Sequence, residues 1–426
     1  MIWIFIGTFL LSLVLSVPLS FVIGFSSLLF LYLNEFPLLI VTQRLFSGLD
    51  SFPLLAVPFF VLAGALMNTG GITRRLVNFA HILVGHIKGG LAHTNIVVSM
   101  LFAGITGSAV ADTSAIGGIL IPAMVKKGYD NDFSAAVTAS SSVIGPIIPP
   151  SILMVIYGVT TGLSIGGLFM AGFIPGVCLG LSLMIVSYIY AVKRDYPYRE
   201  NMVGLKEFLT GLKDAFIALM APVIVIGGIL GGVFTPTEAS VIAVIYAFIV
   251  SKFIYRELKF FDIPEILFKT AITTGTVLII IGTASIMGWV ISVEQIDELI
   301  VEFFMNIAGN KYVLLFLINI LLLFVGTFLE AGAAIIILAP VLAPLAVQMG
   351  VHPLHFAIIM VLNLVLGLIT PPLGICLFVA CGITKIKLWT ISKAIFPFLL
   401  AEIFVLFVVT YFPVISMFLP KLFGYY

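Results

Sequence analysis

One carboxylate, Asp112, stands inside an apolar stretch, in the run Gly104-Ile-Thr106-Gly107-Ser108-Ala-Val-Ala-Asp112-Thr113-Ser114. Small and hydroxyl residues surround it. An ionisable side chain in a lipid-embedded segment is costly and by default marks an ion or substrate path. Hydroxyls and carbonyls at a helix interruption are hard oxygen ligands of the kind that suit Na⁺. The next apolar stretch contains Ser140-Ser141-Ser142-Val-Ile-Gly145-Pro-Ile-Ile148-Pro149-Pro150-Ser151. It cannot remain helical, because proline lacks the N–H, clashes with the preceding turn, and pushes the residue before it out of the α region. The carbonyls of Gly145 and Ile148 lose their helical partners and must find another donor, water or a cation.

The chain carries these interruptions twice, 222 positions apart. Gly104, Pro122, Gly128, Gly145, Pro149 and Pro150 recur as Gly326, Pro344, Gly350, Gly367, Pro371 and Pro372. The second copy reads Gly326-Thr327-Phe-Leu-Glu330, then Asn363 and Gly367-Leu-Ile-Thr370-Pro371-Pro372. Ser108 aligns with Glu330, Ser141 with Asn363, and Ile148 with Thr370. The copies share backbone-breaking positions more than side chains, as two carbonyl-dominated cation sites require. Paired interrupted segments in corresponding halves of an apolar chain point to a transporter's binding site. The pocket between them is expected to present Asp112, Ser141, Asn363 and Glu330 to a substrate. Half-helix N-termini aimed into it favour a carboxylate there. A plain packing seam of small residues is the alternative for the first run, but a seam has no use for Asp112.

The surrounding elements must be membrane helices. Of 426 residues 62% are hydrophobic and 9% charged, against roughly 25% charged in a soluble domain. The net charge of +1 provides no basic face for nucleic acid. Cys178, Cys376 and Cys381 lie in apolar runs without Cys-x-x-Cys spacing, so neither a disulfide framework nor a zinc site is expected. The five histidines show no metal spacing, and no nucleophile elbow is present. An intramembrane enzyme using Asp112 and Glu330 as an acid–base pair would need a protease-like motif, and none surrounds them. The run Ile2–Leu33 lacks a basic n-region and reads as a retained anchor, either strongly tilted or broken near Pro18. Leu91–Met124 and Tyr312–Val347 would each reach about 50 Å as one helix, beyond the roughly 30 Å hydrocarbon core. Each is expected to be a re-entrant hairpin, its tip buried in protein. Thr73–Lys88 and Val293–Asn306 are amphipathic and suit helices lying in the interface. Lys193–Lys213 is rich in Lys and Arg and should face the cytoplasm. An odd number of crossings per repeat would make the two copies inverted. Thr235-Pro236-Thr237-Glu238 reads as a capped helix start.

At Leu55-Ala-Val-Pro-Phe-Phe-Val-Leu-Ala-Gly64, Gly107-Ser-Ala-Val-Ala-Asp112-Thr, Gly145-Pro-Ile-Ile-Pro-Pro-Ser151, Gly232-Val-Phe-Thr-Pro-Thr-Glu-Ala-Ser240 and Gly367-Leu-Ile-Thr-Pro-Pro-Leu-Gly374 the chain resembles a known family. That family is the large membrane subunit of tripartite ATP-independent periplasmic (TRAP) transporters. The resemblance implies an all-α polytopic fold of the ion-transporter superfamily, located in the bacterial inner membrane. It implies Na⁺-coupled import of a small organic anion by an elevator mechanism, with no cofactor beyond the coupling ion. It places one sodium site at Thr106, Ser108, Gly145, Ile148 and Pro150, a second at Gly326, Gly367 and Thr370, and Asp112 near the substrate cavity. It implies two partners, a periplasmic substrate-binding protein and a small four-helix membrane subunit, here expected as a separate chain. The corresponding organisation is scaffold 1–90, transport repeat 91–165, scaffold with cytoplasmic linker 166–310, transport repeat 311–385, and a C-terminal span 386–426. A stand-alone Na⁺/divalent-anion carrier, which shares repeated hairpins but needs no binding protein, is the alternative.

Overall fold

A computed structural model describes residues 2–15, 17–199, 203–295 and 309–425. Among the described residues every regular element is helical, and nine helices are long and apolar enough to cross a bilayer. Only helices satisfy their own backbone in hydrocarbon without a closed barrel.

Both long runs are hairpins. Gly90–Thr106 and Ala109–Lys126 meet at a two-residue tip, and Lys311–Phe328 and Ala331–Gln348 meet at another. At the first tip Gly107 turns the chain with φ +57°, a conformation open to glycine at little cost. After each hairpin comes a broken helix, Asn131–Ser142 with Ile152–Thr161, and Pro353–Gly367 with Ile375–Thr384. Cis peptide bonds occupy matching places, Pro149–Pro150 and Pro371–Pro372. The helix bounds therefore follow the 222-residue offset to within a few residues.

Packing explains how the two units share one core. Both arms of each hairpin lie on the first half of their own broken helix. The second arm, 109–126 or 331–348, also packs on the half-helix of the other copy, 375–384 or 152–161. Gly326 and Gly367 cross backbone to backbone, and a Cβ on Gly367 would collide with the Gly326 peptide. The first break is buried throughout, whereas Pro372 and Leu373 of the second are exposed.

The outer helices depart from a simple reading of the hydropathy. Ile2–Leu33 is two helices, Ile2–Val14 and Leu19–Leu33, separated before Pro18 and packed on each other through Phe5 and Phe30. Trp389–Phe418 is likewise divided at Pro413, into Leu388–Tyr411 and Val414–Leu422. The amphipathic helix Ile72–Val84 buries Ile72, Leu76, Val77 and Ala80. Its Arg74 and Arg75 each hold Glu257 at 2.8 Å, and the Arg75 guanidinium lies 3.5 Å over the Tyr255 ring. Most of the matching Val293–Asn306 segment, from Ile296 onward, lies outside the described residues. The basic linker is pinned to the mouth of the first hairpin, where Tyr129 donates to the Pro197 carbonyl at 2.9 Å and Tyr196 to Asp130 at 2.6 Å. That Tyr196 hydrogen bond, aided by Arg194, holds the Asp130 carboxyl below its usual range. Thr235 and Glu238 form a reciprocal capping box at the start of Pro236–Ile249.

The glycine crossing yields a direct check. Gly367→Ala should lower the unfolding free energy in detergent by about 1–3 kcal/mol, the usual cost of overpacking. Gly118→Ala, where a Cβ meets open space, should be neutral or slightly stabilising. Equal thermal stability of the two variants would contradict the crossing.

Candidate ion and substrate site

The first tip touches the first break. A Cβ on Gly107 would stand 2.9 Å from the Pro150 carbonyl oxygen and 3.2 Å from the Ser151 Cα. Within the break, the Ser151 hydroxyl donates to the Pro146 carbonyl, and the Ile148 N–H donates to Ile144. Among the described residues no donor reaches the carbonyl of Gly145 or of Ile148. Carbonyls left so in a dry interior cost free energy unless a cation or water meets them. Asp112 is fully buried, and its carboxylate lies against the Gly145 Cα, where a Cβ would collide with it. Tip and break thus touch at Gly107 and Pro150, and Asp112 touches the same break at Gly145.

The second tip reaches its own break by the Gly326–Gly367 crossing. Gly367 accepts from the Thr370 N–H at 3.1 Å, and the Thr370 hydroxyl donates back to Leu366 at 2.8 Å. The carbonyl of Thr370 itself has no donor among the described residues.

The two tips differ in charge. At the second, the Glu330 carboxylate caps its own helix, accepting from the Ala333 N–H at 2.9 Å, with the residue exposed. An acidic cap satisfies the positive end of a helix, so this N-terminus already carries its anion. At the first tip the cap is neutral Ser108, accepting from Ala111 at 3.4 Å. The acidic residue of that helix start is Asp112, buried within its first turn.

Ser141 and Asn363 are each engaged in a buried hydrogen-bond ladder. Ser141 donates to Asn95 and accepts from Ser99, each at 3.0 Å, while Asn95 also donates to Thr138 at 2.6 Å. Asn363 donates to Asn319 at 2.7 Å, and Asn319 donates to Thr410 at 3.1 Å. All of these residues are buried. These ladders fasten hairpin arms to broken helices, which explains why polar side chains recur there.

A cavity of about 470 Å³ lies beside the first tip, between it and the helices 56–69 and 263–293. Ser108 and Ser114 line one side, and Asn68, Lys269, Thr270 and Thr273 the other. The sequence reading missed this second wall. The signal available was a polar stripe, Lys269, Thr270, Thr273 and Thr274, near the start of an otherwise apolar helix.

Paired hairpins facing broken helices in a lipid-embedded chain define a membrane transporter. The comparison with known proteins gives the family. The sequence matches the tripartite ATP-independent periplasmic transporter, DctM component, over residues 6–415. It is 43% identical over 410 residues to the sialic acid TRAP transporter large permease protein SiaM of Vibrio cholerae, covering 96% of each chain. It is 41% identical over 381 residues to the C4-dicarboxylate TRAP transporter large permease protein DctM of Pseudomonas aeruginosa, covering 89% of each. The solved Alcanivorax borkumensis YdaH transporter is similar in fold alone, with a TM-score of 0.60 at 14% identity over 87% of this chain and 86% of that one. The chain therefore belongs to the DctM family of TRAP large permeases. This is a family of multi-pass membrane transporters of organic acids, not of enzymes, that works with a substrate-binding protein and a small permease.

The polar ladders separate structure from recognition. Asn363→Leu should lower thermal stability by about 1–3 kcal/mol, since it strands Asn319, and leave the substrate KM of the surviving transport unchanged. A raised KM with unaltered stability would place Asn363 at the substrate instead.

Proposed function

We propose that this chain is the permease through which a Na⁺ gradient drives uptake of a small organic anion delivered by a periplasmic binding protein. The observation carrying this reading is the pairing of undonated break carbonyls with hairpin tips. In one copy Gly107 of the tip meets Pro150 of the break that carries the Gly145 and Ile148 carbonyls, and in the other Gly326 meets Gly367 of the break that carries the Thr370 carbonyl. Sodium takes these oxygens, with Pro150 contributing from the cis-prolyl segment. Asp112, packed on Gly145, supplies negative charge to the first site. A monovalent cation there neutralises a carboxylate that is otherwise expensive to keep charged in the bilayer.

Coupling then follows from order of assembly. Sodium ties tip to break, which fixes the start of the Ala109–Lys126 helix beside the cavity. With Asp112 in its first turn neutralised by the cation, that N-terminus draws the substrate's acidic group. Each ligand shifts the conformational equilibrium only by its preference between states, so sodium and anion together favour a state that neither reaches alone. The hairpins and broken helices of 91–165 and 311–385 move as one transport domain, because each copy's second arm is wedged against the other copy. The remaining helices serve as scaffold, and the two repeats run in opposite senses through the membrane. A separate small membrane subunit extends that scaffold. The relatives' names (sialic acid, C4-dicarboxylate) support a carboxylate as the cargo's common feature.

Proteoliposomes holding this chain, its small subunit and the cognate binding protein should accumulate substrate only with an inward Na⁺ gradient. Gly145→Ala, which forces Asp112 and the break apart, should raise the Na⁺ concentration for half-maximal uptake about 10-fold, equivalent to roughly 1.4 kcal/mol. Uptake independent of Na⁺, or robust uptake without a binding protein, would overturn the reading.

A further inference from the structure

The short helix Val414–Leu422 buries Ser416, Met417 and Pro420. Val414, Phe418 and Leu422, spaced one turn apart, stay 71%, 54% and 67% exposed. This apolar stripe lines a cavity of about 610 Å³ at the mouth of the second hairpin, where Lys311 and Gly350 stand, at the end away from the tip. His355 fixes the floor of the cavity. Its ring bridges the Ser416 hydroxyl at 2.7 Å and the Thr410 carbonyl at 3.1 Å, which ties the short helix to Pro353–Gly367 and Leu388–Tyr411. No tip or break residue is in the lining, so the cavity is separate from the ion and cargo site.

The lining joins cations to apolar surface. Lys311 and Lys421 both belong to it, and no carboxylate does among the described residues. Lys311 opens the first arm of the hairpin and has no acidic partner among the described residues. Burial, and then the charge of Lys421, hold His352 below its usual range, so it adds no charge at neutral pH. Tyr312 and Tyr411 carry the lining on into an adjoining groove of about 510 Å³ along Val313 and Phe316. The Tyr411 hydroxyl donates to the Tyr312 carbonyl at 3.4 Å, and the rings of Phe316 and Phe407 stack with centroids 6.0 Å apart. Tyrosines at the level of basic side chains are the usual furnishing of a membrane interface. A small organic acid would meet the lysines and leave the stripe bare. An amphiphile with an anionic head covers both, because apolar surface gains by leaving water while the head meets the ammonium groups.

We propose that the mouth of the second hairpin holds an anionic phospholipid, its phosphate between Lys311 and Lys421 and an acyl chain along the Val414–Phe418–Leu422 stripe and the Tyr312–Phe316 groove. The lipid joins the first arm of the hairpin to the C-terminal helix. Basic pockets between membrane helices take acidic headgroups by the same physics.

Native mass spectrometry of the delipidated full-length chain tests this without any cargo. The chain is titrated with phosphatidylglycerol and with phosphatidylcholine of the same acyl chains. The first lipid adduct should form about 10-fold more tightly with phosphatidylglycerol, the attraction expected of two basic side chains on an anionic lipid. Lys311→Gln together with Lys421→Gln should remove that preference; both side chains are exposed, so the fold survives, and an unchanged melting temperature verifies it. Lys206→Gln together with Lys213→Gln, exposed on the helix Leu205–Leu230, should keep the preference. Glycerol 3-phosphate, a headgroup phosphate without chains, should fail to displace the bound lipid even in large excess. Equal affinity for the two lipids, a preference that survives the Lys311/Lys421 pair or is lost equally in the Lys206/Lys213 pair, or displacement by glycerol 3-phosphate would each overturn the phospholipid site.

Discussion

Hydrocarbon contains no water to complete an interrupted backbone, and that constraint organises this molecule. Each proline-rich break strips carbonyls of their helical donors. Such oxygens are tolerable at membrane depth only where protein encloses them or something polar fills the gap. Here each break is met by the tip region of the helical hairpin that precedes it, with glycine at the contact. Gly107 faces Pro150, and Gly326 faces Gly367. A side chain at either place would hold tip and break apart, so the glycines and the breaks form one device.

The interlocking of the copies follows from it. Each hairpin leaves a face of its second arm to be covered by elements beyond its own broken helix. The second arm of each hairpin finds that cover on the short half-helix of the opposite copy. Neither copy has a complete core by itself. The buried ladders at Asn95–Thr138–Ser141 and Asn319–Asn363–Thr410 then fix the arms laterally. What remains adjustable is the face turned toward helices 56–69 and 263–293, where the packing is interrupted by a cavity and not by another helix.

Backbone features were legible in the sequence; side-chain partnerships across the chain were not. The 222-residue recurrence of Gly and Pro located both hairpins and both breaks, because those residues act through their own backbone. Pro18 and Thr235–Glu238 were readable for the same local reason. Asp112 was visible as an intramembrane acid, but its turn toward Gly145 depends on helix rotation. Ser141 and Asn363 stood out as polar residues in lipid, a sequence signature that is the same for a residue that holds a neighbouring helix and one that holds a substrate. Glu330 had the signature of a site carboxylate, and the helix it caps begins one residue later. Lys269 and Thr270 lie about 160 positions from the tip they face, and no local periodicity reports such a pairing. Glu402, fully buried in Leu388–Tyr411, was likewise hidden within a continuous apolar run.

Determining the cryo-EM structure of the purified transporter in sodium and again in choline, at a resolution that shows single ions, tests the central claim most directly. Density should stand beside the carbonyls of Gly145 and Ile148, and beside those of Gly326 and Thr370, in sodium and be absent in choline. Identical maps under the two conditions, with those oxygens met by protein donors, would contradict it.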